Sequence, residues 1–197
     1  MTAYSTKLPL FPLHTVLFPE GPLPLRIFEP RYTDMICRCL KNEEDFGICL
    51  IKEGNETGQA ATTHNMGTIA KISDWHTRHD GLLSITVTGK QRFTIQNTSV
   101  TKDQLSLANI ELCSLDVVVK LPEEFQVLAS LLEKIIENLG HHYANIGTRY
   151  DDACWVSYRL AELLPLTLIQ KQNLLMMNDS IMRLERLVSL MKDISYI

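Results

Sequence analysis

The first residues whose types and spacing could do chemistry are His76 and His79 in the stretch DWHTRHDG. On a helix, two imidazoles three residues apart share a face and could begin a metal site. Here they flank Asp80-Gly81, a hairpin-turn dipeptide where such residues need not converge, and no third ligand stands nearby. They read as solvated loop histidines, and no metal is expected. Gly89-Lys90 is the nearest approach to a phosphate loop, but Gln91 stands where Ser or Thr must bind magnesium and Ser84 replaces the first glycine. No nucleotide or other cofactor is expected. Five cysteines, Cys37, Cys39, Cys49, Cys113 and Cys154, are an odd number without framework spacing, which predicts reduced thiols in a cytoplasmic protein, mostly small core residues. Cys37 and Cys39 are two apart on an expected helix, about 200° of rotation, so they neither pair nor chelate together. No G-x-S-x-G elbow accompanies the serines. A small-molecule hydrolase is therefore only an alternative, and the chain reads as a non-enzyme.

Charge narrows the partners. The net charge of −4 divides as −2 on each side of Val118 (11 basic against 13 acidic residues, then 8 against 10), so neither half is basic. Nucleic acid is a poor partner for such a surface. Apolar runs fall short of the ~20 residues that cross a bilayer, so a soluble protein without a membrane partner is expected.

The elements that must position any site begin with LPLFPLHTVLFPEGPLPLRIFEPRY, which holds six of the eight prolines. Interior prolines exclude a helix, and they interrupt any signal-like apolar run. The many apolar residues between them predict short extended pieces on the edges or rim of a small curved barrel, joined by tight bends. EPRYTDMICRCLKNEED predicts one helix with Pro30 at its first position, and FGICLIKEG a buried strand ended by Gly54. Residues 53 to 64 are expected as a polar surface loop, more mobile than their flanks. MGTIAKISDWH, GLLSITVTG, QRFTIQNTSV and QLSLANIELC then predict a meander of at least four strands, with turns at Asp80-Gly81 and Gly89-Lys90. From Leu121 the period changes to helical. One helix runs from Pro122 to Gly140, a second from about Arg149 to Leu164, a third opens at the Thr167/Gln170 capping box, and a fourth starts near Asp179. A β domain over 1–118 and a helical subdomain over 119–197 follow.

In this order, LPLFPLHTVLFPEGPLPLRIFEPRY, FGICLIKEG, MGTIAKI, GKQRFTI, RLAELLPL, KQNLL and MRLERL resemble the amino-terminal substrate-recognition domain of the Lon ATP-dependent proteases, in its free-standing bacterial form. The resemblance covers about Leu8 to Lys192. It implies an α+β fold, a PUA-like β pseudo-barrel with one helix followed by a carboxy-terminal helical bundle. It also implies a non-catalytic module, because the nucleotide motor and Ser-Lys peptidase of the full protease have no counterpart before Ile197. The implied function is binding of exposed apolar segments in unfolded or partly folded proteins, as an adaptor in proteolysis that meets a protease or chaperone. RNA binding, known for other PUA-like domains, is the alternative. Glu20 departs from the pattern, since many relatives place the glycine directly after the proline of Pro19-Glu20-Gly21.

The candidate site is the rim where a strand turns into the first helix: Phe28, Glu29, Arg31 and Tyr32, with Phe18 of the proline segment and Arg92 of a later strand. A purely structural reading has Phe28 and Tyr32 packed inward and Glu29 and Arg31 paired with neighbours such as Arg92. The functional reading has an apolar groove beside unpaired strand edges, taking an extended peptide. On that reading Tyr32 is partly exposed and Arg31 is a surface charge. The acidic runs Glu43-Glu44-Asp45 and Asp151-Asp152 read as solvated helix ends, and Trp75 and Trp155 as packing residues.

Overall fold

The computed structural model describes residues 7–139 and 147–193. It divides into two units, one ending at Ser114 and the other beginning at Leu115.

In the first unit, the strands β1 (Leu8–Leu13), β2 (Pro22–Ile27), β3 (Phe46–Glu53), β4 (Thr62–Thr77), β5 (Leu83–Val100) and β6 (Ser106–Leu112) form one sheet in the order β2-β5-β4-β3-β1-β6. β6 also pairs with β5, from Phe93↔Leu112 to Val100↔Ser106, which closes β5-β4-β3-β1-β6 into a barrel and leaves β2 attached outside the ring. Among the described residues the one helix of this unit is α1 (Pro30–Asn42), which buries Tyr32, Met35, Ile36 and Cys39 against Phe11, Phe46, Ile48, Ile85 and Val87. At roughly 1.5–3 kcal/mol per fully buried large apolar side chain, this cluster is what holds α1 to the sheet.

Three expectations about the strands are corrected. The prolines of β1 are not on an edge, because β1 lies between β3 and β6. It tolerates them because each is paired on one side only: pairing with β3 starts at Leu10, after Pro9, and pairing with β6 stops at Leu10, before Pro12. A missing N–H there breaks no second ladder. β2, with Pro22 and Pro24, does lie on an edge.

Gly89-Lys90 is not a turn. GLLSITVTG and QRFTIQNTSV are one strand, β5, so the meander has three strands rather than four. The segment between β1 and β2 crosses β5 at Gly89 through Glu20 N to Gly89 O (2.7 Å) and Gly89 N to Gly21 O (2.9 Å). A Cβ at Gly89 would come within 2.2 Å of the Phe18 carbonyl oxygen, so the crossing demands glycine. Glu20 itself takes φ +62°, the left-handed region that glycine enters without strain. The polar loop is shorter than 53–64, because β3 reaches Glu53 and β4 starts at Thr62.

In the second unit, a short 3-10 turn (Glu123–Phe125) leads into α2 (Gln126–Leu139), followed by α3 (Ala153–Leu163), α4 (Leu168–Met176) and α5 (Ser180–Asp193). Gly140, the expected end of α2, lies outside the described residues. The second helix starts later than the sequence suggests, since Asp152, expected as a solvated helix end, is buried and caps it by accepting the Cys154 N–H at 2.9 Å. Residues 153–161 of α3 are all buried, which makes α3 the axis on which α2, α4 and α5 pack. The capping box at α4 forms with both reciprocal bonds, Gln170 N to Thr167 Oγ1 at 3.3 Å and Thr167 N to Gln170 Oε1 at 2.8 Å.

Candidate functional site

Phe28 follows the last residue of β2 and precedes Glu29, the N-cap of α1. An apolar residue at that point normally folds back onto the fourth helical residue as a hydrophobic staple. Here the fourth residue is Thr33, whose hydroxyl donates to the Glu29 carbonyl at 3.3 Å. With no apolar staple partner, Phe28 remains 57% exposed, a large aromatic offered to solvent at the mouth of a tightly packed helix.

The next residues are held firmly. Glu29 keeps extended backbone (φ −85°, ψ 133°), and its carboxylate has two partners: Oε2 pairs with Arg31 Nε at 2.7 Å, and Oε1 accepts the Gly58 N–H at 2.7 Å. Arg31 is buried. Its Nη1 donates to the Gln104 carbonyl at 2.7 Å, its Nη2 to the Glu56 carbonyl at 3.4 Å, and its guanidinium lies 4.6 Å from the centre of the Tyr32 ring. Glu56 Oε1 in turn accepts the His14 N–H at 2.7 Å, and Gln104 Oε1 the Ala60 N–H at 3.3 Å. One arginine–glutamate pair therefore ties the loops at 14, 54–61 and 104 to the start of α1. The polar loop is hydrogen-bonded at Glu56, Gly58 and Ala60. Beneath the clasp, the Tyr32 ring stacks on Phe11 with centroids 4.1 Å apart, and burial raises the phenol pKa despite the Arg31 charge.

The six residues singled out from sequence thus separate. Phe28 is exposed and Glu29 half-buried, and they adjoin each other. Tyr32 is buried rather than partly exposed, and Arg31 is an interior group rather than a surface charge. Phe18 is fully buried in the β1–β2 segment, with its carbonyl accepting Gly21 N–H at 3.0 Å. Arg92 is buried on β5 opposite Thr68 of β4, and Glu29 takes Arg31 as its ion-pair partner. Glu56, Gly58 and Gln104 were not legible as parts of this site, since no sequence pattern links loops so far apart.

Other surfaces are relevant. Trp75 on β4, expected as a packing residue, is 56% exposed, whereas Trp155 is buried against Tyr150 with ring centroids 5.5 Å apart. Beyond its last β3 partner, β4 runs from 71 to 77 with β5 alone beside it, and a bulge lies between Ile72 and Asp74. In the helical unit, Ile169, Met176 and Met182 are exposed. Among the described residues no group of three or more His, Cys, Asp or Glu could hold a metal ion. Burial pushes the Cys39 and Cys154 thiols up to about 11 and raises Cys49 further, so these three stay protonated and poorly nucleophilic at neutral pH.

A family model for the "ATP-dependent protease La (LON) substrate-binding domain" matches residues 7–193. The chain belongs to that family. A Lon N-terminal domain protein from Xanthomonas campestris is 36% identical and superposes with a TM-score of 0.79, covering 93% of this chain and 98% of that one. The N-terminal domain of the Mycobacterium avium complex Lon protease, at 17% identity, shares the fold with a TM-score of 0.64 over 95% of this chain and 98% of its own. Lon protease of Buchnera aphidicola subsp. Schizaphis graminum is 24% identical over 193 residues, 94% of this chain. The chain spans 25% of that relative's length. These likenesses bear out the α+β, PUA-like architecture, and family membership makes the chain a substrate-recognition module of the Lon type. No helix among the described residues is long and apolar enough to cross a membrane.

Proposed function

We propose that this domain binds exposed apolar segments of unfolded or partly folded cytoplasmic proteins at the β2–α1 rim, and works as a non-catalytic adaptor in proteolysis. The observation that carries the reading is Phe28: an aromatic more than half exposed, left without a staple partner, on a backbone fixed by the Glu29–Arg31 clasp. Family membership supplies the class of partner, and the raised pKa values of the buried thiols argue against a cysteine nucleophile.

Recognition at this rim relies on side chains more than on strand addition. Pro22 and Pro24 remove donors from β2, the edge strand nearest Phe28, and the free stretch of β4 is interrupted by its bulge and carries Lys71 and Asp74. Both are devices that blunt sheet edges against added strands. An aromatic anchor needs no free edge.

The test is Phe28→Ala, measured against a reduced, carboxymethylated protein that stays unfolded in native buffer. Loss of about tenfold in affinity, the scale of an aromatic hot spot, with an unchanged melting temperature supports the rim. Unchanged affinity would move the site to the apolar surface of the helical unit at Ile169, Met176 and Met182.

A further inference from the structure

We infer that Glu29 and Arg31 are positioning residues for recognition: their clasp pre-organises Phe28 and the neighbouring 54–61 loop as one rigid anchor surface. The inference rests on the function proposed above and adds a role for residues that need not touch the bound segment.

The argument starts from what an exposed aromatic costs to use. Ordering a mobile segment on binding costs conformational entropy, so an anchor on a backbone already held in place binds more tightly than one on a free segment. Phe28 is bonded directly to Glu29, whose main chain and side chain are both committed. The Glu29 carbonyl accepts the Tyr32 and Thr33 amides, each at 3.0 Å, and the carboxylate holds Arg31 and Gly58. Arg31 then carries the constraint to Glu56 and Gln104, two loops distant in sequence. Gly58 has φ +84° and Gln104 φ +67°, left-handed conformations at turns that the clasp holds in place. The loop from 54 to 61 contains no large apolar side chain to bury, so polar bonds of this kind are what order it.

A purely structural role for the clasp predicts that its loss weakens binding, if at all, independently of Phe28. A positioning role predicts that the effect disappears when Phe28 is absent. The experiment is a double-mutant cycle in the full chain with Glu29→Ala and Phe28→Ala, read as affinity for the carboxymethylated unfolded protein, together with hydrogen exchange at the Gly58 amide. Arg31→Lys, which keeps the charge but not the fork of donors, repeats the cycle with a second variant. Expected are an affinity loss of about fivefold for Glu29→Ala alone, less than about twofold in the Phe28→Ala background, and exchange at Gly58 faster by about tenfold or more, while the amides of β3 stay protected. Equal losses in both backgrounds, no loss in either, or unchanged Gly58 exchange overturns the positioning role. The proposed function fails separately: wild-type protein that does not bind the probe, or Phe28→Ala protein that binds as wild type does, removes the rim itself.

Discussion

Among the described residues each unit of the molecule buries two arginines, and Arg31 of the first and Arg183 of the second are used differently. Arg183 of α5 is wholly interior. Its Nε donates to Ser157 Oγ at 2.8 Å, its Nη1 to the Met177 carbonyl at 2.7 Å, and its guanidinium lies 3.7 Å from the centre of the Tyr158 ring, whose hydroxyl donates to Asp116 at 2.9 Å. It binds helices α3 and α5 and the end of α4 to one another. Arg31 donates to two loop carbonyls through Nη1 and Nη2 and pairs with the Glu29 carboxylate near the surface, beside an aromatic that faces water. The same side chain completes a core in one unit and organises a surface in the other. What decides is whether its partners lie on packed helices or on loops that water can reach.

The largest expected effect tests that contrast. Arg183→Met should cost about 3 kcal/mol or more in urea unfolding, because buried acceptors lose a charged donor and no water can replace it. Arg31→Met should cost about 1–2 kcal/mol, since hydrated loops can compensate. Equal costs, or a reversed order, would break the comparison. Within the rim, Tyr32→Ala should cost about 3 kcal/mol as a buried stacked aromatic. Next in size is Gly89→Ala, expected to cost about 2 kcal/mol because the β1–β2 crossing must move to admit a methyl group; a neutral result would show that the crossing yields easily.

The thiols sharpen the comparison through pH, since Cys39 lies in the β unit and Cys154 in the helical unit. Both are raised by burial from 9.0 to about 11. The unfolded chain therefore releases these protons first. Their contribution is complete below about pH 9 and is lost as pH rises toward 11. Unfolding free energy measured across that range should fall, and fall less in Cys39→Ala and Cys154→Ala proteins; identical profiles in the variants would show that the thiols do not carry the effect. The smallest expected stability change is Phe28→Ala, within about 0.5 kcal/mol. A larger loss would show that Phe28 belongs to the core rather than to the binding surface.

What the sequence determined by itself is local. Alternation marked the strands, three- and four-residue steps marked the helices, Pro30 marked the start of α1, and Thr167 with Gln170 marked the box that opens α4, because each signal is carried within a few residues. Several separated motifs in order also fixed the family. Phe28, Glu29, Arg31 and Tyr32 were legible as one cluster, but their different environments were not. Tertiary structure alone decided that Arg31 is interior, that Phe28 is not, and that Gly89 lies within a continuous strand under a crossing segment. Arg31 meets Glu56 and Gln104 only because strand pairing brings the β3–β4 and β5–β6 connections to the end of the barrel where α1 begins. Burial at such a point depends on which distant loops arrive there, and no periodicity along the chain encodes that arrival.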